Sequence, residues 1–559
     1  MQTQTQKTRP GNILTKLTIV FIALTVILAV AACFLTLDLP PRFDYAVSVA
    51  DAAAQTLRVK MTVSTPLFCR DEQTAVYLGD KNINILSVAG ARGGAKELSL
   101  SEDGVAAVPI ARGSRTTVTY EAQIGVPGKH GNRGALTDNY AVFDGDQILL
   151  LPVAFYMNDE DDVRDGIGRI GLRFDFPADW QALAPAKTVR NPRWIDVYNL
   201  SKNAFAFGRF ATVYSGGGLR VYAPEGGGSD AAGFPELYAY YRELFGGAPE
   251  AFNVVLLPPD SPDGKIIGGA GTGTVAASFD RASLRDWQLL AHRMFHAFYD
   301  TFAPYPAVHT PPNLWLNEGL ATYYENMAVA ALPPDIKTAV GADTDRQFAL
   351  LFDQFLYAKI RDPYTYGVAP VDEGGIESEA VIEFLHYYEA PLIVKAFEDL
   401  SQKRGNAPDA LLRYVLDEDA FATIAPFQAA FDLLGAEADA FAGRYISGVE
   451  IPDLWYLEPH QPPSPEELLE ALNYVELHLG SWQRTKVDTY PIFTVTRAEL
   501  DAAMKRLDTG VEAFVDADTA IELAGYSHEL YALLNDYYAK AASQNIAFSD
   551  ENLRYKLKW

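Results

Sequence analysis

Cysteine is nearly absent from this chain: Cys33 and Cys69 are the only two in 559 residues. That excludes a disulfide framework, and because Cys33 lies inside an apolar run, Cys69 is expected to stay a free thiol. Histidine is scarce as well, eight in all, so a pair at a meaningful spacing carries weight. Positive charge is in deficit, with 46 Lys and Arg against 72 Asp and Glu and a net charge of −26. A body this acidic is repelled by phosphate backbones and anionic lipid, which argues against nucleic acid as a partner; solubility outside the cell is a sufficient reason for the acidity. No internal repeat occurs at a fixed period, and no serine sits in a Gly-x-Ser-x-Gly elbow that would point to a nucleophilic triad. The glycines of Gly268-Gly269-Ala270-Gly271-Thr272-Gly273-Thr274 are not followed by Lys-Ser/Thr, which removes a phosphate-binding loop.

What is present is a globular composition, 49% hydrophobic and 21% charged, at a length that suggests three or four domains. Leu17 to Leu37 carries no charge, with Lys7, Arg9 and Lys16 before it and Asp38 after it. Such a run is long enough for the roughly 30 Å hydrocarbon layer, and its flanks predict a cytoplasmic N-terminus and an extracytoplasmic body. Residues 1–37 are therefore expected to be a single anchor in the cell membrane. Two alternatives stay open: Val30-Ala31-Ala32-Cys33 has the pattern of a lipoprotein signal, and a cleaved signal would give a secreted protein. Phe34-Leu35-Thr36-Leu37 continues the apolar run instead of opening a polar tether, which favours the anchor.

From Phe43 to about Ala223 the sequence alternates in short runs such as Thr56-Leu57-Arg58-Val59-Lys60-Met61-Thr62-Val63, punctuated by Gly, Asp, Asn and Pro. This predicts a β-rich, sandwich-like domain over 38–225. Glu225-Gly226-Gly227-Gly228-Ser229-Asp230 marks a boundary, after which 226–455 reads as a mostly helical α+β domain. Pro462-Pro463-Ser464-Pro465 then introduces residues 456–559, expected to be mainly helical and without a recognisable function.

Chemistry concentrates in the second of these regions. Ser283-Leu284-Arg285-Asp286 predicts the start of a helix running to about Phe302. On it Trp287, Leu290, Ala291, Met294 and Phe298 form an apolar stripe, and His292 and His296, one turn apart, fall opposite the stripe's centre. An i, i+4 histidine pair offers two metal ligands from one rigid element, and Glu318, on the helix that follows, offers a third. Two surface histidines beside an unrelated glutamate are the plain alternative.

Together these segments resemble the gluzincin metallopeptidases, and within them the glycyl aminopeptidase family and its relatives around aminopeptidase N. Their His-Glu-x-x-His and Trp-x-x-Glu-Gly-x-x-x-Tyr-Tyr patterns are similar to His292-Arg293-Met294-Phe295-His296 and to Trp315 through Tyr324. His386-Tyr387-Tyr388-Glu389-Ala390-Pro391 resembles their Tyr-Tyr-Glu-Lys-Gly helix, and Phe441-Ala442-Gly443-Arg444-Tyr445 their closing helix. The resemblance, over roughly 43–455, implies a thermolysin-like peptidase domain behind a β domain, with zinc on His292, His296 and Glu318. It also implies that Tyr388 stabilises an oxyanion.

Three departures qualify it. Arg293 stands where the family keeps its general base, and a guanidinium of pKa above about 12 accepts no proton at working pH. Its charge also opposes a dication, so zinc is expected to be weakened or absent. The family's glycine-rich strand holds the substrate's amino terminus with a glutamate, whereas Gly269, Gly271 and Thr272, the expected cleft residues here, bring no carboxylate. The family's C-terminal PDZ domain is not found. The expectation is a catalytically impaired homologue that binds a peptide or protein ligand or serves as scaffold. The other reading is an active zinc aminopeptidase whose base has moved, with Asp300, Glu325, Glu383 or a neighbouring tyrosine as candidates; a metal-free structural protein is a third.

Overall fold

The structure, a computed structural model, describes residues 18–25 and, with internal gaps, 39–457. Of the apolar run 17–37 it describes a helical piece at 18–25, and among the described residues no helix is long and apolar enough to cross a membrane. Gly269, Gly271, Thr272 and the C-terminal segment beyond residue 457 lie outside the described residues. The fold mixes sheets and helices in two compact units, Met1–Phe210 with Ser261–Gly268, and Ala211–Asp260 with Gly269–Trp559.

The first unit is built from strands. A six-stranded sheet runs through β1 (Arg42–Asp51), β2 (Thr56–Ser64), β3 (Ile83–Gly90), β4 (Arg115–Gln123) and β5 (Ile170–Asp175), in the order β5-β1-β2-β4-β3, with Trp194–Ile195 beyond β5. Only β1 and β5 pair in parallel; the other neighbours are antiparallel. The period-two pattern explains the pairing: in β2, Leu57, Val59, Met61 and Val63 are wholly buried while Arg58 and Lys60 face out. The unit also holds two four-stranded sheets, one carrying Tyr140–Asp144 and Ala204–Gly208, the other Gln73–Tyr77 and Val105–Pro109, and a two-stranded pair, Pro127–Gly128 with Gly131–Asn132. Phe143, Phe174, Phe176, Phe205 and Phe207 form one ring cluster in its core. Cys69 is buried there as a free thiol.

The second unit contains three neighbouring parallel strands, β6 (Leu219–Pro224), β7 (Phe252–Leu257) and β8 (Thr274–Ser278). These are buried along nearly their whole length, which is why they read as continuous apolar runs and do not alternate. Helix α1 (Phe234–Leu244) packs beside them, followed by α2 (Leu284–Phe302), α3 (Leu314–Ala328) and α4 (Thr344–Arg361). Next come α5 (Glu379–Phe384), a π-helical turn at Leu385–Glu389, α6 (Ala390–Lys403) and α7 (Ala410–Val415). Helix α2 starts and stops where the sequence predicts, with Ser283 Oγ accepting from the Asp286 N–H at 3.2 Å.

Candidate metal centre

Two close approaches set the site. Helix α2 is buried not only along its Trp287–Phe298 stripe but also on the opposite side, where His292 and His296 are 7% and 6% exposed. They are not surface histidines, because α3 covers that face. On α3, a Cβ added at Gly319 would stand 2.8 Å from the Ala390 Cβ, so the glycine after Glu318 is what lets α3 and α6 approach this closely.

His292 Nε2 lies 3.2 Å from Glu318 Oε2, His296 Nε2 lies 3.2 Å from the same oxygen, and the two imidazole nitrogens are 3.1 Å apart. Ligand atoms about 2.0–2.1 Å from a tetrahedral zinc stand about 3.3 Å from one another, so the triangle has the size a metal requires. Two imidazoles and a carboxylate are also a common zinc donor set. The residues therefore fit the ion that the resemblance implies. His292 is oriented from behind: its Nδ1–H donates to Glu325 Oε2 at 2.8 Å. A carboxylate only accepts, so a proton sits on Nδ1 and Nε2 is turned toward His296 and Glu318.

The electrostatics agree with a compact ionic cluster. Burial pushes the His292 pKa down, but hydrogen bonds and charge from Glu318 and Glu325 outweigh it and leave the pKa raised. Burial dominates at His296, whose pKa is lowered. Glu318 is held well below the usual carboxylate range: burial opposes this, but the two histidines overcome it. Arg285 approaches the other oxygen of Glu325 at 3.5 Å. Gln288 on α2 donates to Asn326 on α3 at 2.8 Å, so the two helices are laced together on both sides of Glu325.

Of the residues singled out from sequence, His292, His296 and Glu318 converge. Arg293 is part-buried beside them, its Nε is buried with no hydrogen-bond partner, and among the described residues no ion pair holds it. Tyr388 is buried in the π-helical turn and stacks on Phe384 with ring centroids 5.5 Å apart. It is the Tyr387 ring that lies beside His292, at 5.9 Å. The turn has a local cause. The Ala390 N–H reaches back five residues to the Leu385 carbonyl, and Pro391, with no N–H and a bulky ring, follows immediately. Asp300 contributes charge to the surroundings of His296, and Glu383 lies on α5. Glu325 is not placed as a base, since its Oε2 is already taken by His292 Nδ1.

From sequence Glu325 is read only as a substitute base, not as a partner of His292, and Tyr387 is not singled out. Glu325 follows Glu318 by seven residues, two helical turns, and that spacing was the available signal for a second carboxylate on the same face. Tyr387 carried no signal of its own, because its direction is decided by the π-helical turn.

No protein-family model matches the chain, and neither does any curated protein. Among solved structures, an aminopeptidase N family protein from Idiomarina loihiensis is similar at 13% identity and a TM-score of 0.48, over 77% of this chain and 78% of that one. An M1 zinc metallopeptidase from Deinococcus radiodurans is similar at 17% identity and a TM-score of 0.44, over 76% and 96%. A mutant form of the same metallopeptidase is similar at 18% identity and a TM-score of 0.44, over 75% and 96%.

Proposed function

We propose that this chain is a zinc-metallopeptidase homologue, anchored in the membrane through residues 17–37 with an extracytoplasmic body, in which Arg293 has replaced peptide hydrolysis by ligand binding. The observation that carries the reading is the triangle of His292 Nε2, His296 Nε2 and Glu318 Oε2, with sides of 3.1–3.2 Å and with His292 fixed from behind by Glu325. When bound, zinc would act there as a Lewis acid. The chain's own groups orient the ligands, exclude water around both buried imidazoles and hold a proton on His292 Nδ1. What they lack is a proton acceptor at residue 293. Loss of a general base typically lowers a rate by about 10²- to 10⁴-fold.

The reading of an active peptidase with a relocated base is weakened at Glu325, which is committed to His292. The test is zinc analysis and peptidase assay on the full-length protein and on Arg293→Glu. The expected result is about one zinc per chain in both, with little cleavage by the natural protein and a gain of at least about 10²-fold on restoring the glutamate. Robust zinc-dependent cleavage by the natural protein would overturn the impairment, and no zinc in either protein would overturn the metal site. Protease accessibility of the body from the outer face of intact cells tests the anchor and its orientation.

A further inference from the structure

Arg293, which stands where the general base is expected, also has no counterion among the described residues. Glu318 is shared by His292 and His296, and Glu325 is shared by His292 and Arg285, so both carboxylates of the cluster are engaged. Arg293 has a buried, unpartnered Nε and no ion pair among the described residues. Its Cα lies one position after His292 and about 60° round α2 from His296, which places the residue on the flank of the ligand pair. A part-buried guanidinium with no anion is costly, and that cost is relieved by an anion brought by a ligand.

Resting on the metal-site reading above, we infer that Arg293 makes this a recognition site for a carboxylate monoanion, met most simply by the free C-terminus of a peptide. Three arguments select that chemistry. A guanidinium's planar fork matches a carboxylate with two parallel hydrogen bonds, which a lysine at the same place would not provide. Glu318 and Glu325 supply two negative charges nearby, so a monoanion is admitted more readily than a phosphate dianion. In a chain of net charge −26, acidic ligands are repelled from the general surface, and a single uncompensated cation beside a metal site therefore confers selectivity.

The experiment is calorimetric titration of the full-length protein in detergent, both zinc-loaded and metal-free, with N-acetyl-Ala-Ala and with the same peptide amidated at its C-terminus. Zinc content is measured in each sample. Charge-assisted hydrogen bonds predict that the acid binds about 10- to 100-fold more tightly than the amide. In Arg293→Gln that ratio is expected to fall to near one while zinc binding is kept or strengthened. Equal affinity for acid and amide in the natural protein, no binding of either, or an unchanged ratio in Arg293→Gln would overturn the inference. So would inorganic phosphate displacing the peptide at a lower concentration than acetate does. Failure to find zinc would sink the metal reading alone, because the acid-over-amide ratio in metal-free protein still reports on Arg293.

Discussion

Of the twenty polar or charged residues buried among the described residues, Thr65, Thr116 and Asp144 belong to the β unit, and the other seventeen belong to the unit that holds α2 and α3. In the β unit several buried hydroxyls serve the backbone. Tyr45 and Tyr120 hydroxyls bond main-chain groups at 148–150, and Thr116 donates to the Pro109 carbonyl. In the helical unit buried groups bond to each other across helices, as His292 does to Glu318 and Glu325 and as Gln288 does to Asn326. Burying charge is a poor way to gain stability, since desolvation takes back most of the attraction. The β unit is thus arranged for stability, whereas the helical unit gives some up to hold a polar cluster together.

The largest test of that contrast removes a ligand. A structural zinc site is worth roughly 10–16 kcal/mol, and this one offers three protein ligands, so His296→Ala is expected to weaken zinc binding by about 10³-fold, read by competition with a chelator. Hydrogen exchange should quicken in α2 and α3 on chelation and stay unchanged in β1, β2 and β4. Equal loosening of both units would break the comparison.

The same contrast explains what the sequence could show. Strand alternation in Thr56–Val63 and the cap at Ser283 are local, and both appear in the structure as expected. The ligand trio was legible because i, i+4 spacing and the Glu-Gly step are also local features. Two things were not legible: the burial of both histidines, which depends on α3 packing over that face of α2, and the direction of Tyr387, which depends on a π-helical turn before Pro391. Each is set by tertiary contact or by a backbone irregularity that no hydrophobic period encodes.

In the β unit the sharpest expected loss is Tyr120→Phe. The hydroxyl donates to the Ile148 carbonyl and accepts from the Leu150 N–H, both at 3.1 Å, in a fully buried position. Removing it strands one donor and one acceptor, at a cost of up to about 4 kcal/mol. Denaturant unfolding should show that loss with zinc stoichiometry unchanged; altered zinc binding would mean that the units are not energetically separate.

A smaller effect is expected at Glu398 on α6. One oxygen accepts from the Leu411 N–H at 2.9 Å, and the other is buried without a partner. Burial, with Asp409 adding like charge, raises its pKa to about 7. The folded protein therefore keeps a proton here that the unfolded chain loses above about 4.5. Stability from this group is full at low pH and declines as pH rises through about 7, by about 2–3 kcal/mol. Glu398→Gln mimics the protonated form, so its unfolding midpoint should lose that decline; an unchanged pH profile would show that the carboxyl is ionised in the fold.

The smallest expected effect asks whether the polar interior of the helical unit is tuned for the metal or merely satisfied. Glu325→Gln keeps an acceptor for His292 Nδ1–H and its place on α3, but it removes the negative charge behind the imidazole. If the only task of Glu325 is to fill a hydrogen bond, zinc affinity should hardly change. If it also raises the basicity of Nε2 and offsets the charge of Arg293, affinity should fall by about 10-fold, with Glu325→Ala falling by about 100-fold because the ring's orientation is lost as well. The double variant Arg293→Gln/Glu325→Gln separates these roles. Were Glu325 chiefly a charge that balances the repulsion of Arg293 on the ion, removing both charges would restore most of the lost affinity; were it chiefly an orienting group for His292, the two changes would add.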